Sequence, residues 1–110
     1  MYTIDIKSEM LPKLEAGKKL ADVLRQAKTT HKVVKILHGY GSTGPGGAIK
    51  SLTHQSLRNK VKKQEIKAYI PGEAIARPLS FDEVITTYKH LISNDIDFKK
   101  DNYGITYVIF

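Results

Sequence analysis

The chain contains no cysteine, and this absence removes several kinds of chemistry. Disulfide bonds, thiolate catalysis and cysteine-rich zinc sites are excluded. Histidine does not replace them, because His31, His54 and His90 are scattered and no pair has the spacing of metal ligands. We therefore expect no metal and no cofactor, although a divalent cation could still assist a cleavage reaction. A chain without cysteine is compatible with the cytoplasm, which is the localisation we expect.

Long hydrophobic runs are also missing. No apolar stretch approaches the ~20 residues that a membrane-spanning helix needs, so we expect no membrane partner. Residues 1–6 alternate polar and apolar side chains, which predicts a short strand and not a targeting segment with a charged lead and an apolar run.

The chain has a clear excess of positive charge. Eighteen Lys and Arg residues against eleven Asp and Glu residues give a net charge of +7, on a chain of 110 residues that is long enough for one domain. A positive field of this size on a small body attracts polyanions. This charge favours DNA or RNA as the partner, ahead of a merely soluble basic surface.

Hydrophobic spacing predicts four strands and three helices that alternate along one domain, residues 1–110. Strands are expected over residues 2–6, 32–37, 65–70 and 103–110, and helices over about 12–27, 46–63 and 80–93. The order β-α-β-α-β-α-β predicts an α/β fold, a two-layer sandwich with a four-stranded mixed sheet. On the first helix, an apolar stripe is expected to run from Leu14 through Leu20 and Leu24 to Ala27.

The third helix has a recognisable start signal. Ser80 and Glu83 have the spacing of a capping box, in which the first side chain bonds the backbone three residues later. Leu79 and Val84 have the spacing of a hydrophobic staple around the same helix start.

A glycine-rich loop follows the second strand. Five of the eight glycines lie between positions 39 and 47, in the segment His-Gly-Tyr-Gly-Ser-Thr-Gly-Pro-Gly-Gly that begins at His38. Such a loop between a strand and a helix brings backbone N–H groups together at the positive end of the helix dipole. The hydroxyls of Ser42 and Thr43 could add donors. The loop therefore predicts an anion site, although glycines can also serve only to permit a tight turn.

Two nucleotide-binding patterns fail on this loop. Gly39 to Gly44 fits the Gly-x-Gly-x-x-Gly pattern, but a dinucleotide fold needs an acidic residue at the end of the next strand, and Glu65 opens that strand instead. A P-loop needs Gly directly before Lys-Ser, whereas Ile49 precedes Lys50 here.

Residues Val33 to Leu52 resemble the second motif of the Smr (small MutS-related) domain family, in which a strand ends in His-Gly-x-Gly or Thr-Gly-x-Gly. His38, Gly39 and Gly41 occupy the matching positions. The resemblance covers roughly residues 3–70 and implies a single Smr-like domain that binds DNA or RNA. Several family members are DNA-nicking or RNA-cleaving endonucleases, in mismatch repair, recombination or ribosome-associated quality control.

The chain departs from this family in two places. The family's opening motif, Leu-Asp-Leu-His-Gly or Leu-Asp-Leu-Arg, corresponds to Ile4-Asp5-Ile6-Lys7-Ser8, which keeps the aspartate but has a lysine where histidine or arginine is usual. The family's short connection between the last two strands is replaced by about thirty residues that include the helix at about 80–93. The chain therefore resembles a divergent member.

Three residues are candidates for catalysis. If the first two strands are parallel, they end side by side and bring Asp5, Lys7 and His38 to one sheet edge. His38 could act as general acid or base, and Lys7 could stabilise developing negative charge. Asp5 could orient a base or share a metal ion. Asp5 also has a simpler interpretation as an exposed strand residue.

A second group of residues is predicted to bind nucleic acid. Backbone donors, hydroxyls and a basic region that flanks the loop helix define it, together with the Tyr40 ring, which could stack on an exposed base or pack over the glycines instead. Its members are Gly39, Tyr40, Gly41, Ser42, Thr43, Gly44, Arg58, Lys62 and Lys63, with Lys32, Lys35 and Lys60 in the same basic region.

Three functions remain open at this point. The first is a nucleic-acid-binding Smr-like domain, with endonuclease activity where the altered first motif permits it. The second is a non-catalytic module that docks on a nucleoprotein complex through its basic face. The third is a small enzyme that binds a phosphorylated metabolite at the loop.

Overall fold

The computed structural model describes residues 1–9, 11–40, 45–75, 80–98 and 100–110. Within them the chain forms four strands and three α-helices in the order β-α-β-α-β-α-β, which confirms the predicted α/β class. The elements are β1 (Thr3–Asp5), α1 (Lys13–Ala27), β2 (Val33–Leu37), α2 (Pro45–Lys62), β3 (Ala68–Pro71), a 3-10 turn (Gly72–Ile75), α3 (Asp82–Ile92) and β4 (Ile105–Ile109).

The strands form one mixed sheet in the order β1-β2-β4-β3. β1 pairs with β2 in parallel, and β4 is antiparallel to both β2 and β3. The strands β1, β2 and β3 therefore run in one direction, so their carboxyl ends meet the start of β4 at a single edge of the sheet. We call this the loop edge, because the glycine-rich segment leaves β2 there.

The sheet separates two hydrophobic cores. On one face, Val34, Ile36 and Val108 pack with Leu20 and Leu24 of α1 and with residues of α2. The sheet and these two helices form the two layers that the sequence predicts.

On the opposite face, Ile105, Tyr107 and Ile109 of β4 pack with Ile92 of α3 and with Phe98. The helix α3 therefore adds a third layer. All five residues of β4 are buried, because β4 is an interior strand covered on both faces.

The start of α3 differs from the prediction. The helix begins at Asp82, and Phe81 occupies the cap position without a side-chain hydrogen bond, so the predicted capping box of Ser80 and Glu83 is wrong. The ring of Phe81 packs edge to face on Tyr69, with 5.5 Å between ring centres. This packing holds Phe81 at the position that the capping box assigns to Ser80. Leu79, and with it the predicted staple, lies outside the described residues.

The first helix follows its predicted stripe except at one position. Leu20, Leu24 and Ala27 are buried, but Leu14 is 73% exposed and Ala16 takes the inward position.

Within the part of the chain that the structure describes, no helix combines the length and the apolar character that crossing a membrane requires.

Candidate functional site

The loop edge brings together polar side chains that lie on or directly after β1, β2 and β4, with others from α2. Asp5 pairs with Leu37 in the β1–β2 register, so the segments that follow these two strands leave the sheet side by side. Two backbone hydrogen bonds, from His38 N and Gly39 N to Gly104 O, tie the end of β2 to the residues before β4. The parallel pairing that the sequence analysis required is therefore present.

His38 lies inside the protein and not on its surface. Its exposed fraction is 0%, and both ring nitrogens have partners. Nδ1 lies 2.7 Å from the carbonyl oxygen of Gly39, and Nε2 lies 2.8 Å from Oγ1 of Thr106. His54 of α2 reaches the same hydroxyl, with Nε2 at 2.9 Å.

These contacts fix the direction of each hydrogen bond in the uncharged state. The Gly39 carbonyl can only accept, so His38 Nδ1 carries the proton and Nε2 is an acceptor. The Thr106 hydroxyl must then donate to His38 Nε2, and its oxygen accepts from the Nε2–H of His54. The result is a chain that runs from His54 through Thr106 and His38 to the Gly39 carbonyl, which we call the histidine chain.

Burial keeps both histidines of this chain uncharged near neutral pH. Desolvation is the largest cause that lowers the pKa of His38 to about 4, and the charge of Lys50 lowers it further. Desolvation also lowers the pKa of His54 to about 4, assisted by His38, Lys50 and Arg58. An enclosed imidazole with both nitrogens bonded and this pKa is a structural link and a poor general base at neutral pH.

Asp5 is occupied by its own turn. Its Oδ1 accepts hydrogen bonds from the backbone N–H groups of Lys7 and Ser8, both at 2.9 Å, and Oδ2 accepts from the Ser8 hydroxyl. The side-chain bond from Ser8 is the main reason that the pKa of Asp5 is lowered. Among the described residues, no hydrogen bond joins Asp5 or Lys7 to His38. The three predicted catalytic residues therefore share an edge without forming one bonded constellation.

Lys7 and Tyr40 are both exposed at the loop edge. The stem of Lys7 lies against Gly39, where an added Cβ would stand 3.4 Å from Lys7 Cδ. The Lys7 Nζ lies 5.9 Å from the centre of the Tyr40 ring, and Tyr40 is 66% exposed. Gly39 has φ +90°, a backbone conformation that favours glycine. This turn therefore presents a cation and an aromatic face together to solvent.

Sequence reasoning missed a second polar group at this edge. Lys50 of α2 forms an ion pair with Glu73, with 2.6 Å between Nζ and Oε2, and its Nζ lies 5.2 Å from the centre of the Tyr103 ring. Less than a fifth of the surface of each of these two side chains, Lys50 and Glu73, is exposed. Because these residues lie far apart in the sequence, no local pattern could have grouped them. The contact between His54 and Thr106 could not be predicted for the same reason.

Most cations of the predicted basic region lie on or next to the carboxyl-terminal half of α2. Lys62 and Lys63 lie at the carboxyl end of α2, about 26 Å from its first residue at ~1.5 Å per residue. Arg58 lies one turn before them. Lys35 is buried on the α3 face, where its Nζ bonds both Asp95 and Asp97. The helix α2 therefore separates Lys62 and Lys63 from the loop, and the sheet separates Lys35 from α2.

Part of the predicted site lies outside the described residues, namely Gly41, Ser42, Thr43 and Gly44. In the described remainder, no three side chains of the metal-ligating kind converge. No family model, curated protein or solved structure matches this chain.

Proposed function

We propose that this chain binds nucleic acid at the loop edge, with the phosphate backbone against Lys7 and an unstacked base against Tyr40. The observation that carries the proposal is the pairing of these two side chains beside the Gly39 turn, with Tyr40 66% exposed. A lysine positions a phosphate without reading sequence, and an aromatic face stacks on any base. The net charge of +7 supports a polyanionic ligand. The resemblance of the loop to the Smr family points to the same class of ligand.

The geometry supports binding over cleavage. Hydrolysis of a phosphodiester needs a group that can exchange a proton with the reacting atoms. His38 has no exposed surface, and both carboxylate oxygens of Asp5 accept hydrogen bonds from its own turn. Endonuclease activity therefore stays a prediction from resemblance, and we expect binding without strand cleavage.

Fluorescence anisotropy with labelled single-stranded and duplex DNA and RNA tests the proposal, and its arms distinguish the two nucleic acids. We expect Lys7→Gln to weaken binding and to reduce the slope of log Kd against log salt by about 0.7 on a single strand. We expect Tyr40→Leu to weaken single-strand binding by about 1–3 kcal/mol, the range for one stacked base.

Two control variants make this experiment specific. Tyr40→Phe keeps the ring and should bind like the parent, and Lys89→Gln removes an exposed cation from α3, on the other face of the sheet. Unchanged affinity in both Lys7→Gln and Tyr40→Leu would overturn the assignment of this edge.

A nicking assay on supercoiled plasmid and on structured RNA, with and without Mg²⁺, tests the endonuclease prediction. We expect no cleavage. Cleavage that disappears in Lys7→Gln would make the loop edge an active site and would contradict our interpretation. If the chain binds neither DNA nor RNA, the non-catalytic module that docks on a nucleoprotein complex through its basic face becomes the better hypothesis.

A further inference from the structure

The edge of the sheet opposite the loop edge carries most of the excess positive charge. We call this surface the basic pole, and its cations are Arg25, Lys28, Lys32, Lys60, Lys62, Lys63 and Lys67. Two carboxylates bond to them, Asp22 to Arg25 and Glu65 to Lys60. Seven cations less two carboxylates leave an excess of five, against +7 for the whole chain.

Backbone contacts hold the parts of this pole together. Lys28 Nζ donates to Glu65 O at 2.8 Å, which links the end of α1 to the segment after α2. Phe110 N donates to Lys32 O at 3.0 Å, and Lys67 N donates to Ile109 O at 2.8 Å. The seven cations therefore extend from a connected set of element ends, and they do not lie scattered over the molecule.

A cavity of about 270 Å³ opens in this surface between the carboxyl-terminal parts of α1 and α2. Arg25, Lys28 and Lys60 line its walls together with Glu65. Leu24 and Ile66, both buried, supply part of its apolar lining.

Helix ends explain only some of these charges. Cations in the last turn of a helix complement its partial negative charge, which accounts for Arg25 on α1 and for Lys60 and Lys62 on α2. Lys32 and Lys67 precede strands, where no helix dipole favours them. Both are exposed, so the pole holds more cations than its helices need.

We propose that the basic pole is a second contact surface for the phosphate backbone of the nucleic acid that the loop edge binds. This inference rests on the proposed function and adds a ligand footprint. The two surfaces lie at opposite ends of α2, whose axis is about 26 Å long. A duplex rises ~3.4 Å per base pair, so a ligand must extend over about eight base pairs to reach both.

The test compares two variants with equal loss of charge. Lys62→Gln/Lys63→Gln removes two exposed cations of the pole whose side chains form no hydrogen bond with any described residue. Lys18→Gln/Lys89→Gln removes two exposed cations outside both surfaces. Affinity is measured against salt concentration for DNA and RNA hairpins with stems of about six and about sixteen base pairs, and for phosphatidylcholine vesicles with phosphatidylserine.

We expect the pole variant to reduce the salt slope on the long stem by about 1.8, at ~0.9 per lost phosphate contact, and the control variant to keep the parent slope. The parent should also bind the long stem more tightly than the short one. A long-stem slope that is equal in the two variants would overturn the inference while Lys7→Gln still supports the loop edge. Loss of vesicle binding alone in the pole variant would make the pole a membrane surface and would also overturn it. Parent protein that binds no nucleic acid would refute the proposed function itself.

Discussion

At the scale of single residues, the histidine chain explains how a buried polar group can organise the loop edge. Thr106 satisfies one nitrogen of His38 and one of His54, and His38 bonds the carbonyl of Gly39. Buried polar groups are stable only when they are hydrogen-bonded, so each bond of this chain depends on the others. The Gly39 turn, which carries Tyr40, is anchored by it.

Removal of the central hydroxyl should expose this dependence. Thr106→Val keeps the shape of the side chain but leaves His38 Nε2 without its donor and His54 without its acceptor, so we expect a loss of about 1–3 kcal/mol in the free energy of unfolding. Urea denaturation at pH 7 measures it. Thr53→Val is the matched control, because this equally buried hydroxyl bonds only the Ile49 carbonyl of its own helix. Equal losses in the two variants would contradict a special role for Thr106.

The same two histidines make stability depend on pH. Their pKa is about 4 in the folded protein and 6.5 in the unfolded chain, so below pH 6.5 the unfolded chain takes up protons that the folded protein does not. The free energy of unfolding therefore keeps its highest value above pH 6.5, as far as these histidines determine it. It falls as the pH drops toward 4, by up to about 1.4 kcal/mol per pH unit for each histidine. Urea denaturation at pH 7, 6 and 5 checks the slope. His54→Gln should be less sensitive to pH, and a parent stability that is constant over this range would refute the buried, uncharged state.

Residue spacing could have predicted the burial of His38. Val34, Ile36 and His38 alternate along β2 and its extension, and all three are buried. The period of two along the strand therefore predicts that the His38 side chain points inward, which a catalytic role at the surface does not fit. The contact of His38 with Thr106 could not be predicted, because 68 residues separate the two and the β2–β4 pairing brings them together.

At the scale of elements, the close approach of the 3-10 turn after β3 to the segment before β4 depends on one glycine. A Cβ at Gly72 would overlap the carbonyl oxygen of Asn102 and would stand 2.9 Å from two side-chain carbons of Ile105. A backbone oxygen cannot move aside as a flexible side chain can. Asn102 in turn donates to Asp97, so this contact connects the 3-10 turn to the buried Lys35 ion pairs.

Gly72→Ala should therefore destabilise the fold by about 1–3 kcal/mol, the range for overpacking a well-packed site. Thermal denaturation followed by circular dichroism gives the measurement. Gly17→Ala is the control, because its added Cβ would meet only Leu52 carbons at ordinary contact distance and alanine favours a helix. A melting temperature for Gly72→Ala at or above that of the parent would contradict the close approach.

The order of the strands and helices could be predicted from the sequence, whereas the residues at which they begin and end were harder to predict. Apolar spacing and the turn residues predict all seven elements, but the start of α3 depends on the contact of Phe81 with Tyr69, which no local capping pattern contains. The distance between the loop and Lys62 could have been obtained from the rise of an α-helix. That rise places the two ends of α2 far apart, although only 17 residues separate Pro45 from Lys62 in the sequence.

At the scale of the whole molecule, charge and chemistry occupy different ends. The loop edge presents a lysine, a tyrosine ring and the glycine turn, while the basic pole holds an excess of five positive charges. Composition alone predicted the sign of the field but not its distribution. That distribution follows from the sheet order, which places the carboxyl ends of β1, β2 and β3 together and sends α2 to the opposite end.

Nucleic-acid binding at the loop edge is tested most directly by a titration of ¹⁵N-labelled protein with a short single-stranded oligonucleotide, followed by amide chemical shifts. We predict that the largest shift changes fall on Lys7, Gly39 and Tyr40, with small changes on α3. Shift changes confined to α3, or none at saturating oligonucleotide, would contradict nucleic-acid binding at the loop edge.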